Sequence, residues 1–111
     1  MKYKAIVLDL DGTLTNSKKE ITPHTREVLI KAQEMGVKVI LASGRPTYGI
    51  APLADQLELD RFGGYILAIN GGRITNWTTK EIVFDQILDV KLVPELYKAA
   101  MDNHFQILTY Q

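Results

Sequence analysis

Asp9 and Asp11 follow the apolar run Ala5-Ile6-Val7-Leu8, so two carboxylates leave the end of what reads as a buried strand. Residues i and i+2 of an extended strand point the same way, and a continuous apolar run predicts that both faces of the strand are covered. Like charges at the mouth of an apolar interior are costly unless a cation or a reaction accounts for them. Gly12 then permits a sharp turn and Thr13 offers a hydroxyl, which suits a phosphate or metal pocket built partly from main-chain groups. The competing reading is a strand-end turn with solvated aspartates. It would suffice for a bare Asp-x-Asp, and it fits the whole string Asp9-Leu10-Asp11-Gly12-Thr13 less well.

The elements that must position this turn alternate between strand and helix. Thr22 can cap a helix with Pro23 in its first position; Val28, Leu29, Ala32 and Met35 form one apolar face, and Gly36 ends it. Val37 to Ala42 reads as a second buried strand. Ser43-Gly44-Arg45 forms the next turn, and Pro46 opens a helix whose Ile50, Leu53, Ala54 and Leu57 recur at helical spacing. Gly63-Gly64 precedes a third strand, Tyr65 to Ile69. Two consecutive β-α-β units predict an α/β fold with a parallel sheet covered by helices.

From Asn70-Gly71-Gly72 onward the pattern changes. Arg73 to Thr75 and Ile82 to Phe84 predict a hairpin that begins a different layer. A helix is expected over Lys91 to Asn103, with Val93, Leu96, Tyr97, Ala100 and Met101 apolar, then a strand over Phe105 to Tyr110. Ending on a strand leads to the expectation that the chain is a fragment. No internal repeat or low-complexity segment is evident.

In open parallel sheets, ligands bind beyond the carboxyl ends of the strands. The three turns that follow the three candidate strands should therefore share one rim. Two carboxylates there could hold a hard cation such as Mg2+, while the Ser43 hydroxyl, the amides near Gly44 and the following helix N-terminus would suit phosphate oxygens. A cation beside an anion cradle is the equipment of phosphoryl transfer: one carboxylate attacks phosphorus, the other protonates the leaving group and then activates water.

Composition narrows the partners. Thirteen basic and thirteen acidic residues cancel across 111 residues, so no net charge steers the molecule toward nucleic acid or an anionic membrane surface. A hydrophobic content of 46% is enough for the core of one small domain. The absence of cysteine excludes disulfides, thiolate zinc sites and cysteine nucleophiles. The apolar stretch that ends at Asp9 is too short for a signal peptide or membrane span, so a cytoplasmic location and an unglycosylated Asn76-Trp77-Thr78 are expected.

Asp9-Leu10-Asp11-Gly12-Thr13 resembles motif I of the haloacid dehalogenase-like hydrolases, and Ser43-Gly44-Arg45-Pro46 resembles motif II of their Cof-type phosphatase branch; Asn70-Gly71 after a third strand strengthens that branch. The resemblance implies a Rossmann-like core with Asp9 as nucleophile and Asp11 as general acid/base. It also implies Mg2+ held by the Asp9 carboxylate and the Asp11 backbone carbonyl. Ser43 would bind phosphate through its hydroxyl with Gly44 beside it, Gly12 and Thr13 would support motif I, and Arg45 and Asn70 would lie near the substrate or a cap hinge. Residues 1–78 would form the N-terminal part of the core, and residues 79–111 the start of an inserted α/β cap. The family's motif III lysine and acidic motif IV would follow the complete cap. Lys91 and Lys98 stand in the expected cap helix and are not given that role.

The implied activity is a Mg2+-dependent phosphatase acting on small phosphorylated metabolites such as sugar phosphates, with a fragment lacking full activity. A phosphomutase with the same nucleophile and a non-enzymatic phosphoacceptor module are the alternatives, and the first strand is expected to be an exposed edge open to self-association. Several residues have plainer readings. Ser43 could simply cap the helix opened by Pro46, Arg45 could be solvated, and Asn70-Gly71-Gly72 could be only a turn. His24 and His104 flank helix ends and are read as solvated, and Trp77 as a partly packed loop aromatic.

Overall fold

The computed structural model describes residues 2–110. Strands β1 (Ala5–Asp9), β2 (Lys38–Ala42), β3 (Tyr65–Ala68), β4 (Arg73–Asn76) and β5 (Ile82–Asp85) form one sheet in the order β1-β2-β3-β4-β5. The first three are parallel, with Leu8 opposite Leu41 and Leu41 opposite Ile66, so their carboxyl ends reach one rim. Helix α1 (Pro23–Glu34) joins β1 to β2; α2 (Thr47–Gln56) and the short α3 (Leu59–Phe62) join β2 to β3. This is the α/β arrangement that the alternating pattern predicts, with the Rossmann-like core that the resemblance implies.

The hairpin does not found a new layer, contrary to expectation. β4 runs antiparallel to β3 and β5 antiparallel to β4, so both extend the same sheet. The cause is local. Asn70 and Gly71 have φ of 52° and 93° in a 3₁₀ turn over Ile69–Gly71, and this reversal lays the next strand beside β3. Ile69, expected at the end of the third strand, lies in that turn.

Leu10, Val39, Leu41, Ile50, Leu57, Leu59 and Ile66 are fully buried and form the centre of the core. α1 starts as its sequence predicts: Thr22 is the N-cap, its Oγ1 accepts the Thr25 N–H at 3.3 Å, and Pro23 follows. Its buried face is displaced from the expected one. Leu29 and Gln33 face the core while Val28 and Met35 are exposed, because Gln33 Nε2 donates to the Leu57 carbonyl at 2.8 Å and ties the helix to the end of α2.

β1 is the sheet edge, with Ile6 and Val7 exposed, so the predicted cover on both faces is not met among the described residues. A 3₁₀ turn over Val90–Leu92 leads into α4 (Val93–Asp102), inside the expected helix. Val93, Leu96, Tyr97 and Met101 remain exposed there. Phe105 to Tyr110 has no regular structure, where a strand was predicted. Its β-propensity finds no ladder partner among the described residues, and pairing is what turns such a preference into a strand.

Candidate active site

The turn after β1 is pinned from below. Leu10, fully buried, presents its carbonyl to the Thr13 N–H at 3.1 Å, the Thr15 N–H at 3.0 Å and the buried Thr15 Oγ1 at 3.0 Å. The Asp9 carbonyl accepts the Leu14 N–H at 3.1 Å, and buried Leu14 completes the anchor. Between these fixed points Gly12 adopts φ of 77°, a left-handed conformation that glycine takes without strain, and Asp9 and Asp11 are left exposed. The apolar pair Leu10 and Leu14 with Thr15 was not singled out in the sequence; the Leu-x-x-x-Leu spacing across the turn was the available signal.

The turn after β2 is held against the end of β3. The Ser43 N–H donates to the Leu67 carbonyl at 3.0 Å, the Ser43 carbonyl accepts the Asn70 N–H at 3.1 Å, and the Arg45 carbonyl accepts the Ile69 N–H at 3.0 Å. Ser43 Oγ accepts the Arg45 N–H at 3.1 Å, which leaves its own proton free to donate to a ligand oxygen. Ser43 is not a helix cap. The N-cap of α2 is Pro46, which makes no side-chain capping bond. Gly44 allows close approach: a Cβ there would lie 3.1 Å from Asn70 Oδ1.

Ile69 and Asn70 both have positive φ, 53° and 52°. For a β-branched residue this is strained backbone, and such strain concentrates where surrounding structure over-determines a turn.

These three turns line one cleft of about 370 Å³, bounded by Asp9, Ser43, Gly44, Leu67, Asn70 and Gly71. Asp11 and Gly12 border a separate hollow of about 420 Å³ with Thr15, Asn16, Ser17 and Lys19. Thr13 lines neither; it borders a hollow beside α1 with Leu8 and His24. Arg45 is not solvated at a helix start but ion-paired, Nη2 to Asp11 Oδ1 at 2.6 Å. This hydrogen bond is the main cause holding the Asp11 carboxyl below its usual range; desolvation opposes it, and the Arg45 charge and then Lys19 add smaller effects in the lowering direction. Arg45 thus joins the second turn to the first.

Trp77 packs against the core and donates from Nε1 to Asp55 Oδ1 at 2.8 Å, with Lys80 Nζ 3.3 Å from its ring centroid, as its plainer reading expects. Elsewhere, an apolar hollow of about 420 Å³ lies between α4 and the C-terminal segment, lined by Leu88, Val93, Leu96, Tyr97, Ile107 and Leu108.

The metal question turns on oxygen donors. Among the described residues no cluster of three or more His, Asp or Glu side chains that could hold a metal ion occurs; the oxygens that the resemblance offers for Mg2+ are the Asp9 carboxylate and the Asp11 carbonyl. Among those residues no backbone N–H bonds the Asp11 carbonyl, which is therefore open to a cation. Both are hard oxygens of the kind Mg2+ takes, and Mg2+ keeps several waters of its own, so the pair fits one side of such a site.

The family model of haloacid dehalogenase-like hydrolases matches residues 6–111. YxeH of Bacillus subtilis (strain 168) is 37% identical over 100 residues, covering 90% of this chain and 37% of that protein. Pyridoxal phosphate phosphatase YbhA of Escherichia coli (strain K12) is 30% identical over 110 residues, covering 99% of this chain and 39% of that one. The crystal structure of a haloacid dehalogenase-like hydrolase from Bacteroides thetaiotaomicron superposes with a TM-score of 0.90 at 59% identity, covering 98% of this chain and 41% of that chain. The chain spans about two fifths of the length of these relatives.

Proposed function

The chain belongs to the haloacid dehalogenase-like hydrolases, and from that premise we propose that it carries the nucleophile and phosphate-binding turns of a Mg2+-dependent phosphoric monoester hydrolase. The observation that carries this reading is the shared cleft, in which Asp9, Ser43, Gly44 and Asn70 converge from three strand ends.

A phosphate monoester sits with its oxygens toward the Ser43 hydroxyl and the Gly44 turn. An Asp9 carboxylate oxygen attacks phosphorus; the bond from phosphorus to the ester oxygen breaks, and its electron pair leaves with that oxygen. Arg45 favours the Asp11 carboxylate, so the proton comes in with the ester, whose monoanion carries one; Asp11 takes it up and gives it to the departing oxygen. It then takes a proton from water, which attacks the phosphorus of the aspartyl-phosphate and returns Asp9 as a carboxylate with release of inorganic phosphate. When bound, Mg2+ would be held by the Asp9 carboxylate and the Asp11 carbonyl and would shield the negative charge that otherwise opposes attack.

Small phosphorylated metabolites such as sugar phosphates are the proposed substrates. The small cleft and the phosphatase name of YbhA support that class. Residues from Thr79 onward are proposed to begin a cap over this rim. Among the described residues no helix is long and apolar enough to cross a membrane.

The test is turnover of a generic phosphate ester by the protein that carries this chain. Activity is expected with Mg2+, lost on chelation and restored by Mg2+. Turnover indifferent to chelation would remove the metal from the reading, and no turnover of any small phosphate ester would remove the reading itself.

A further inference from the structure

Resting on the phosphatase reading above, the geometry assigns a role to Arg45 beyond binding the substrate. Its guanidinium is fixed at two points, Nη1 donating to the Gly49 carbonyl at 3.2 Å and Nη2 to Asp11 Oδ1 at 2.6 Å. Its backbone is fixed at two more, through Ser43 Oγ at 3.1 Å and the Ile69 N–H at 3.0 Å. The Arg45 side chain is 29% exposed and that of Asp11 54%, so the better-restrained group holds the freer one. Asp11 lies beside Gly12 on an exposed turn, and Arg45 is its side-chain partner among the described residues. Without that partner the Asp11 side chain would sample its staggered χ1 rotamers and the broad, roughly two-fold torsion of its carboxyl group.

We propose that Arg45 is a positioning residue for Asp11: it holds Oδ1, so that Oδ2 is the oxygen that delivers the proton to the leaving group. The balance is simple. As the phosphorus–oxygen bond breaks, the leaving oxygen keeps the electron pair and takes the proton from Oδ2, and the carboxylate that remains faces a guanidinium already in place. Electrostatic help is largest when the charged partner needs no rearrangement at the moment charge develops. The competing role, direct contact of Arg45 with the substrate phosphate, would require the guanidinium to exchange Asp11 for the ligand.

Leaving groups separate the two roles. Arg45→Met is compared with the wild type by kcat/KM on an alkyl phosphate, whose alkoxide must be protonated, and on 2,4-dinitrophenyl phosphate, whose anion departs unaided. The proposal predicts a loss at least about tenfold greater on the alkyl ester, since general acid catalysis typically contributes about a hundredfold or more. Arg45→Lys should recover part of that loss, because an ammonium keeps the charge without the planar fork that reaches both Gly49 and Asp11. In an Asp11→Asn background, Arg45→Met should change the dinitrophenyl rate by no more than about twofold, as expected when one residue acts through the other.

Equal losses on both esters, with weaker inhibition by inorganic phosphate, would overturn the proposal in favour of direct phosphate binding. A full Arg45→Met loss persisting without Asp11 would overturn it as well. If Arg45→Met does not fold, Arg45→Lys carries the same ester comparison. A wild type that hydrolyses the dinitrophenyl ester but shows no leaving-group dependence of the Arg45 effect defeats only this inference; one that hydrolyses neither ester defeats the phosphatase reading with it.

Discussion

Behind the rim, Leu10, Leu41 and Ile66 are 0% exposed, whereas Ile87, Val90 and Leu108 in the segment after β5 are 77%, 77% and 83% exposed. Both regions are rich in apolar residues, yet only the first has spent them on a core. The difference lies in what surrounds each. The buried residues behind the rim join strands that pair with neighbours and pack with α2 residues, while the apolar side chains of α4 and the segment after it stay exposed and line a hollow between those two elements outside that core. The proposed chemistry, which needs groups fixed to fractions of an ångström, is placed on the first region.

The strongest way to break this comparison is to remove chemistry from the rim without disturbing its packing. Asp9→Asn keeps the shape of an exposed side chain but replaces the carboxylate proposed as nucleophile and metal ligand. It is expected to lower phosphate ester turnover on the order of a thousandfold or more with an unchanged melting temperature. Retention of more than a few per cent of wild-type turnover, without deamidation to Asp, would show that the nucleophile is elsewhere.

Packing separates the regions next. Leu10→Ala empties a fully buried site beneath the turn and is expected to cost about 2–5 kcal/mol. Leu108→Ala, in the outward segment, should stay within about 0.5 kcal/mol. Denaturant unfolding of the two variants checks this, and similar losses would mean that the outer segment is part of the same cooperative core.

A smaller effect concerns the turn that joins β3 to β4. Ile69 holds φ of 53° with a β-branched side chain. Ile69→Gly should relieve backbone strain of about 1–3 kcal/mol, offset in part by the extra freedom of an unfolded glycine, for a net gain of about 1 kcal/mol. A clear loss of stability in the same unfolding experiment would show that the turn is not strained.

The smallest expected effect is on α1. Lys31 Nζ lies 2.8 Å from Glu27 Oε1, and their hydrogen bond is the leading cause that lowers the Glu27 pKa and raises that of Lys31. The Glu27 contribution is present above its unfolded value and fades as pH falls through the lowered folded one. That of Lys31 is present below its unfolded value and fades as pH rises through the raised one. The pair should therefore matter only between the carboxylate and lysine ranges. Both groups are solvent-exposed, so Glu27→Gln should shift the thermal midpoint barely beyond measurement error even at neutral pH. A large shift would mean that this face is covered by something else.

Much of the rim was legible in the sequence because it depends on local signals. An apolar run, a glycine at the turn and a hydroxyl or carboxylate just beyond it mark Asp9, Ser43 and Asn70 without knowledge of the rest of the chain. What pins those turns was not legible. The bonds from the Leu10 carbonyl to Thr15, and from Ser43 and Arg45 to Asn70 and Ile69, join residues whose pairing depends on how strands lie side by side. Arg45 reaching Asp11 across 34 positions is of the same kind. The Gln33 bond to Leu57 displaced the expected face of α1 for the same reason: a tertiary partner outweighed periodicity. Phe105 to Tyr110 shows the converse, a strand composition without a ladder to join.

The central claim is that Asp9 takes the phosphoryl group. The protein that carries this chain, mixed with a phosphate ester and Mg2+ and quenched in acid during turnover, can be digested and its peptides examined by mass spectrometry. A phosphoryl adduct on the Asp9 side chain, absent from Asp9→Asn, is the predicted result. Rapid turnover with the adduct on any other residue, or with none under conditions that stabilise acyl phosphates, would contradict it.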